Sequence, residues 1–264
     1  MTSVAELIAP HLPSLRRFSR AVHGSRSAGD ERVADCLRFL IERPSAYDPS
    51  KNALISLFRL YVAVSSRIER DEQTPCAATH DRTIGGMSTD ARNAFLLTAL
   101  EQFSIPQTAS ILDVEIDDVE LFLAEAGQQI ARQIGTTVLI IEDEPLIAMD
   151  IEGMVERFGH EVVGVARTRR EAVMLARKTR PGLILADIQL ADGSSGIDAI
   201  TDLRASIDVL TIFVTAFPQR LLTGAGHEPT FLITKPYAPD ALRAMLSQAL
   251  FFRDAKRERR GAAS

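Results

Sequence analysis

Four apolar segments in the second half of the chain each end in a side chain that could take part in metal or phosphoryl chemistry. Apolar runs of this kind, rich in β-branched residues, favour strands buried on both faces. Open α/β sheets place their functional side chains at the carboxyl ends of the strands. The four segments end in an acidic pair, a carboxylate, a hydroxyl and an amine: Glu142 with Asp143, Asp187, Thr215 and Lys235.

Taken singly, these residues fit plain structural roles. The acidic pair fits a solvated loop, Thr215 a hydroxyl that caps its own strand, and Lys235 a surface lysine before a turn. As a set in this order and spacing, they resemble the receiver domain of two-component response regulators. The resemblance covers residues 136–254 and implies a doubly wound, flavodoxin-like domain with a five-stranded parallel sheet. Pro145 suits the first turn of the helix that follows the acidic pair.

The receiver resemblance implies the chemistry of the site. Asp187 would be the nucleophile that accepts a phosphoryl group, while Lys235 and Thr215 would contact the phosphoryl oxygens. Clustered carboxylates repel one another, and hard oxygen ligands suit Mg²⁺. The expected ligands are Glu142, Asp143, Asp187 and the backbone carbonyl of Gln189.

Length and composition limit the possible classes of protein. With 264 residues, 46% hydrophobic and 25% charged, the chain is long enough for two globular domains. Its sequence lacks an apolar run long enough to span a membrane and an N-terminal signal pattern. Two cysteines and five scattered histidines favour a reducing compartment and offer no zinc-ligand spacing. We therefore expect a soluble cytoplasmic protein.

The first 68 residues have the apolar periodicity of helices. The stretch 24–29 is interpreted as a turn, and Asp30 as the cap of the second helix. Arg16, Arg17 and Arg20 lie off the apolar stripe, and a solvated helix face is the favoured interpretation of them. Residues 69–87 are polar and predict a linker.

Residues 88–134 have the pattern of a helix-turn-helix. Ser88 is suited to cap its first helix, residues 106–112 form the next, and residues 113–116 form the turn before the last. This segment resembles region four of extracytoplasmic-function (ECF) sigma factors. Residues 1–68 resemble region two of the same family. The sequence thus predicts an all-α, sigma-like first half.

The charge of this helix-turn-helix departs from the sigma pattern. Residues 71–133 carry three Lys/Arg against eleven Asp/Glu, a net charge of −8, whereas residues 1–70 carry eleven against seven, a net charge of +4. Asp117, Asp118 and Glu120 begin the helix that would enter the major groove. DNA binding normally releases counterions through basic contacts, so we expect no DNA binding.

The whole arrangement, sigma-like first and receiver second, resembles the PhyR family of alphaproteobacterial general stress regulators. The resemblance implies an anti-anti-sigma factor that is not an enzyme. In the family scheme, the receiver packs against the sigma-like domain, and a sensor histidine kinase or phosphotransferase phosphorylates Asp187. The sigma-like domain then captures a small anti-sigma factor of the NepR type. The alternatives are a response regulator that binds DNA or polymerase as a true transcription factor, and a receiver-controlled enzyme.

Two further expectations concern the receiver. The position three residues before Lys235, often aromatic in receivers, is Leu232, so Phe217 or Tyr237 are the candidates for reporting phosphorylation; core packing is the alternative for both. Residues 255–264 are expected to form a flexible tail.

Overall fold

The structure is a computed structural model that divides into two compact units, Met1–Arg132 and Gln133–Ser264. It describes residues 4–48, 52–72, 83–84, 87–131, 135–190, 193, 195–204, 207, 209–216, 218 and 228–261, with only the backbone of 70–72, 83–84, 131 and 254–261. Among these residues, no helix is both long and apolar enough to cross a membrane.

The first unit is built of seven α-helices among its described residues, with two 3-10 turns (Ala9–His11 and Pro44–Ala46) and one short antiparallel hairpin. The helices are α1 (Val4–Ile8), α2 (Leu12–His23), α3 (Arg26–Glu42), α4 (Ala53–Glu72), α5 (Thr89–Ala99), α6 (Ile105–Leu112) and α7 (Ile116–Ala131). The hairpin pairs β1 (Thr83–Ile84) with β2 (Met87–Ser88).

The break between α2 and α3 is shorter than the sequence predicted. Gly24 has a φ of 61°, which ends α2, and the side chain of Ser25 accepts a hydrogen bond from the Ala28 backbone to start α3 at once. Residues 26–29 are therefore helical, and the prediction that Asp30 caps the helix is wrong. Asp30 lies inside α3.

The interpretation of the α2 arginines as a solvated face is also wrong. Arg20 is fully buried, and both Arg16 and Arg20 donate to the carboxylate of Asp30, at 3.1 Å and 2.6 Å for the Nη2 bonds. Arg17 donates from Nε and Nη2 to Glu101 at 3.0 Å and 2.7 Å. A periodicity count treats arginines as polar, but it does not show that Asp30 of α3 and Glu101, in the loop after α5, form ion pairs with them.

The two sigma-like segments pack together within this single unit. Besides the Arg17–Glu101 pair, the rings of Phe58 and Phe103 contact edge to face with centroids 5.1 Å apart. Arg59 Nη1 donates to the carbonyl of Ser110 at 3.1 Å, and its Nη2 pairs with Asp113.

The helix-turn-helix forms as the sequence predicted. Ser88 caps α5, since its Oγ accepts from the Ala91 backbone at 3.1 Å. Ser104 and Gln107 form a reciprocal capping box that starts α6. Asp113 takes a left-handed conformation with a φ of 60°, which ends α6 and turns the chain into α7.

The second unit is a five-stranded parallel sheet in the order β4-β3-β5-β6-β7 with helices between the strands. Its strands are β3 (Thr137–Ile141), β4 (Glu161–Ala166), β5 (Leu183–Asp187), β6 (Leu210–Thr215) and β7 (Phe231–Thr234). Its helices are α8 (Pro145–Arg157), α9 (Arg169–Thr179), α10 (Gly196–Arg204) and α11 (Pro239–Gly261).

The predicted fold class, helical sigma-like segments followed by a doubly wound receiver, is confirmed. The sequence located every strand except β4, which has Gly164 in its interior and a register irregularity against Val138 and Leu139. The final helix differs from the prediction. It continues through residues 255–261, which were expected to belong to a flexible tail, because Ala, Arg, Lys and Glu are good helix formers.

Candidate phosphorylation and metal site

The topology brings four strand ends to one edge of the sheet. The carboxyl ends of β3 and β5 are neighbours, with Ile141 opposite Ala186, and this is where the strand order reverses. On the other side of β5, β6 ends at Thr215 opposite Thr234 of β7. Each predicted side chain ends one of these strands or directly follows it, so the order of the strands in the sheet places these side chains close together.

Three carboxylates form the acidic part of the site. Glu142, Asp143 and Asp187 each offer an oxygen within 4.8 Å of the others. Glu142 is 1% exposed, whereas Asp143 and Asp187 are half-buried. Backbone amides hold two of the carboxylates in place: Glu142 Oε1 accepts from the Glu144 amide at 3.3 Å, and Asp187 Oδ1 from the Gln189 amide at 3.3 Å.

Lys235 reaches into this cluster. Its Nζ donates to Glu142 Oε2 at 2.9 Å and to Asp187 Oδ2 at 2.6 Å. Its backbone amide donates to the Thr215 carbonyl at 2.7 Å, which fixes the start of the loop after β7. One ammonium therefore lies among three carboxylates, and the cluster keeps an excess of negative charge.

Burial and charge shift the pKa values of two groups here. Burial raises the pKa of Glu142 above its usual range, against the opposing effect of the hydrogen bond from Lys235. Burial disfavours the charged form of Lys235 as well, but hydrogen bonds to Asp187 and Glu142 outweigh it and raise the lysine pKa. Lys235 is therefore charged at neutral pH.

The predicted residues differ in the kind of contact that they make with Asp187. Glu142 and Lys235 lie in one hydrogen-bonded group with it, and Asp143 belongs to the same carboxylate cluster. Gln189 contacts Asp187 through its amide, and its backbone bridges to Ser195. Thr215 is buried at the end of β6, one residue beyond the Val214 that pairs with Asp187.

The cluster fits a divalent cation. Several carboxylate oxygens lie within reach of a common point, and hard oxygen donors of this kind suit Mg²⁺. The unbalanced negative charge would be neutralised by such an ion. Among the described residues, the group that could hold a metal ion consists of Glu142, Asp143 and Asp187.

Comparison with known proteins agrees with both units. The sigma2 domain of PhyR matches residues 8–62, the sigma-like domain of the response regulator PhyR matches residues 85–133, and the response regulator receiver domain matches residues 138–247. The phyllosphere-induced regulator PhyR of Methylorubrum extorquens is 47% identical over 261 residues, which cover 97% of this chain and 98% of the relative. The chain belongs to the PhyR family.

Solved PhyR structures share the fold over the whole chain. The response regulator PhyR from Brucella abortus is 46% identical, with a TM-score of 0.87 and full coverage of both chains. The anti-anti-sigma factor PhyR from Bartonella quintana is also 46% identical with a TM-score of 0.87, over 97% of this chain and 99% of that chain. The Bartonella protein has in addition been crystallised with the anti-sigma factor NepR. The chain in that complex is 46% identical, and the match covers 95% of this chain and 99% of that chain with a TM-score of 0.43.

Sequence analysis missed one residue at the site of this PhyR-family chain. Gly196 begins α10 directly against the strand end that carries Asp187, and its amide donates to the Ile188 carbonyl at 3.1 Å. A β carbon on Gly196 would meet the backbone of Asp187. The only signal in the sequence is a glycine that follows the aspartate at the start of a helical pattern.

Of the two aromatic candidates for a reporter of phosphorylation, Tyr237 lies close to the site and Phe217 lies outside the described residues. Tyr237 is half-buried. Burial and the negative charge of Asp150 raise its pKa, with smaller contributions from the carboxylates of the site. The site carboxylates are therefore close enough to Tyr237 to affect the ionisation of its hydroxyl.

The acidic face of the helix-turn-helix is exposed as the sequence indicated. Asp117 and Glu120 are exposed on α7, together with Leu121, which is 68% exposed. Asp118 accepts a hydrogen bond from the Glu115 amide at 3.2 Å at the start of the helix. Glu125 accepts from the amide and hydroxyl of Ser88, at 2.6 Å and 3.0 Å.

Proposed function

We propose that this chain is a phosphorylation-controlled anti-anti-sigma factor. Phosphorylation of Asp187 frees the sigma-like unit to bind an anti-sigma factor of the NepR type, which releases an ECF sigma factor for general stress transcription. The phosphoryl donor is a sensor histidine kinase or phosphotransferase. The sigma-like regions are residues 1–68 and 88–134, the receiver is residues 136–254, and the protein acts in the cytoplasm, where sigma factors and polymerase meet.

The observation that carries the proposal is the exposed acidic surface of α7. A helix that reads the major groove approaches two phosphate backbones, and the carboxylates of Asp117 and Glu120 would be repelled by both. The helix-turn-helix fold is retained while its DNA-binding charge is absent. A surface of that kind suits a protein that imitates a sigma factor towards a sigma-binding partner, as the name of the Bartonella protein indicates for that relative.

Asp187 is the group that would react. Its Oδ2 forms the bond to phosphorus, and the bond between phosphorus and the donor breaks. Lys235 lies 2.6 Å from that oxygen and would balance the charge of the new phosphoryl group, while the Thr215 hydroxyl would bind one of its oxygens. A Mg²⁺ ion held by Glu142, Asp143, Asp187 and the Gln189 carbonyl would supply neutralising positive charge.

The response would spread from the ammonium of Lys235. A phosphoryl group changes which oxygens that ammonium contacts, and the Lys235 amide is bonded to the end of β6 at Thr215. The same loop leads through Tyr237 into α11. A shift there would weaken the inhibition of the sigma-like unit by the receiver, and several kcal/mol of differential stability are needed for a near-complete change of state.

Binding of the full chain to a purified NepR-type protein tests the proposal. We expect a large gain in affinity on adding acetyl phosphate and Mg²⁺, and no gain for Asp187→Ala. Asp198→Ala, which removes an exposed carboxylate from α10, is the matched control and should respond like the unmodified chain.

Two results would contradict the proposal. Phosphoryl labelling retained by Asp187→Ala would place the reactive group elsewhere. Salt-dependent retention of the full chain on promoter DNA, or promoter-specific transcription with core polymerase, would favour a true transcription factor.

A further inference from the structure

A groove of about 920 Å³ lies along the exposed face of α9, beside α10. Apolar, basic and acidic side chains line it together. The apolar ones are Val173 and Met174, of which Met174 is 61% exposed, and the acidic one is Asp202. The basic residues that line it are Arg169, Arg170, Arg177 and Lys178. On a chain whose net charge is −5, this is a local concentration of the opposite sign.

One of the four cations is compensated within the receiver unit. Arg169 donates to Asp202 of α10 through Nε at 2.7 Å and Nη2 at 2.8 Å. In the part of the chain that the structure describes, neither Arg170, Arg177 nor Lys178 has a carboxylate within salt-bridge distance. The one acidic residue of α9, Glu171, is used at the helix start, where its Oε2 accepts from the Arg167 amide at 2.8 Å. All three side chains are exposed, and Arg177 lies close enough to Asp202 to help lower the pKa of that carboxyl after the hydrogen bond from Arg169, so four cations share one carboxylate in the groove.

The stability of α9 does not account for this arrangement. Arg170 lies in the first turn of the helix, where the macrodipole disfavours positive charge. The opposite face of the helix, with Ala172 and Ala176, is already fully buried, so Met174 is not needed for the receiver core. An exposed methionine among cations that outnumber their acidic partners is typical of a surface that another molecule covers.

We propose that this groove binds an acidic amphipathic helix of a partner protein. Arg170, Met174 and Arg177 follow one another at four- and three-residue spacing, so they form one stripe about 10 Å long. A partner helix of two to three turns would place carboxylates against the arginines and Lys178, with apolar side chains on Met174 and Val173. The apolar part of the lining, Val173 and Met174, favours this occupant over a small phosphate ligand, which needs donors throughout its site. This inference does not depend on the proposed function.

A labelled synthetic helical peptide provides the test with the full-length protein. In the peptide, leucines at helical spacing are flanked by glutamates; a second peptide has every glutamate replaced by glutamine. We expect the acidic peptide to bind and its affinity to fall at least tenfold for the double variant Arg170→Glu/Arg177→Glu. Met174→Ala should weaken binding several-fold, and raising the salt concentration should weaken it further. The glutamine peptide should not bind.

Arg157→Glu is the matched control, because it reverses an exposed charge on α8, outside the groove. It should leave peptide affinity within twofold. Equal loss with Arg157→Glu, equal binding of the glutamine peptide, or no binding of the acidic peptide would each overturn the proposal. Binding of inorganic tripolyphosphate that Met174→Ala leaves unchanged would assign the groove to small anions instead. Self-association of the chain that Arg170→Glu/Arg177→Glu abolishes would assign it to a second copy.

Discussion

The carbonyl oxygen of Asp187 leaves no room for a side chain on Gly196, because a β carbon there would overlap with that oxygen. The strand end that carries the Asp187 carboxylate and the first residue of α10 are therefore packed backbone against backbone. This contact helps to set where the Asp187 side chain points.

We expect Gly196→Ala to lower phosphorylation by acetyl phosphate at least tenfold, because the chain must shift away from Asp187 to admit the methyl group. Overpacking of this kind also destabilises a domain by about 1–3 kcal/mol. Gly153→Ala is the control: its β carbon would lie 3.4 Å from the flexible end of Arg157, and α8 should tolerate it. Equal phosphorylation of the two variants would contradict the predicted role of Gly196.

A divalent ion bound at this cluster would compete with Lys235 for the same carboxylate oxygens, since the ammonium contacts both Glu142 and Asp187. We expect Lys235→Met to bind Mn²⁺ more tightly than the unmodified chain and yet to be phosphorylated more slowly. Paramagnetic resonance of free Mn²⁺ measures the first and acetyl phosphate labelling the second. Weaker Mn²⁺ binding in the variant would show that the lysine supports the metal site instead.

Removing divalent ions should stop phosphorylation of Asp187, because three carboxylates would then face the incoming phosphoryl group with only one ammonium. The measurement is labelling by acetyl phosphate with EDTA, followed by addition of Mg²⁺. We expect Glu142→Gln to need a higher Mg²⁺ concentration. Labelling that persists in EDTA would contradict a metal requirement.

The Arg17–Glu101 ion pair should contribute to the stability of the first unit, as its side chains are 13% and 5% exposed. Arg17→Met leaves Glu101 buried without its partner, so we expect a loss of roughly 3 kcal/mol in the free energy of unfolding. The double variant Arg17→Met/Glu101→Leu should recover most of that loss. Arg38→Ala, which removes a solvent-exposed pair with Asp35, should cost less than about 1 kcal/mol.

His23 predicts how the stability of the first unit depends on pH. Burial, together with the positive charges of Arg32 and Arg92, lowers its pKa from 6.5 to about 4. The imidazole of the unfolded chain binds a proton more tightly than that of the folded chain. The neutral imidazole therefore contributes its full stabilisation above pH 6.5, and this contribution is lost as the pH falls towards 4. The shift corresponds to about 3 kcal/mol.

Chemical denaturation at pH 7.5 and pH 4.5 measures this effect. His23→Gln keeps a polar group near the Tyr61 hydroxyl, which lies 3.1 Å from His23 Nε2, but does not titrate. The variant should lose less stability between the two pH values than the unmodified chain. An identical loss in both proteins would assign the acid sensitivity to other groups.

The sequence was sufficient to predict the fold class and the strand-end side chains that lie close together, because apolar strands and the side chains at their ends are local patterns. Contacts between residues far apart in the chain could not be predicted from such local patterns. Arg17 and Glu101 are 84 residues apart, and nothing near Arg17 distinguishes it from a solvated arginine. Glu142 and Lys235 are 93 residues apart, and only the sheet order brings them together. Strand β4 escaped detection because Gly164 interrupts its β-branched residues.

The acidic face of α7 has a consequence for how the protein is distributed in a cell. A chromosome offers millions of non-specific sites, and a sigma-shaped protein with a basic recognition helix would spend much of its time bound to them. We expect a chain that carries Asp117 and Glu120 at that position to escape this depletion. Nearly all of its copies would then stay available to a protein partner, and a modest number of molecules would be enough for a prompt response.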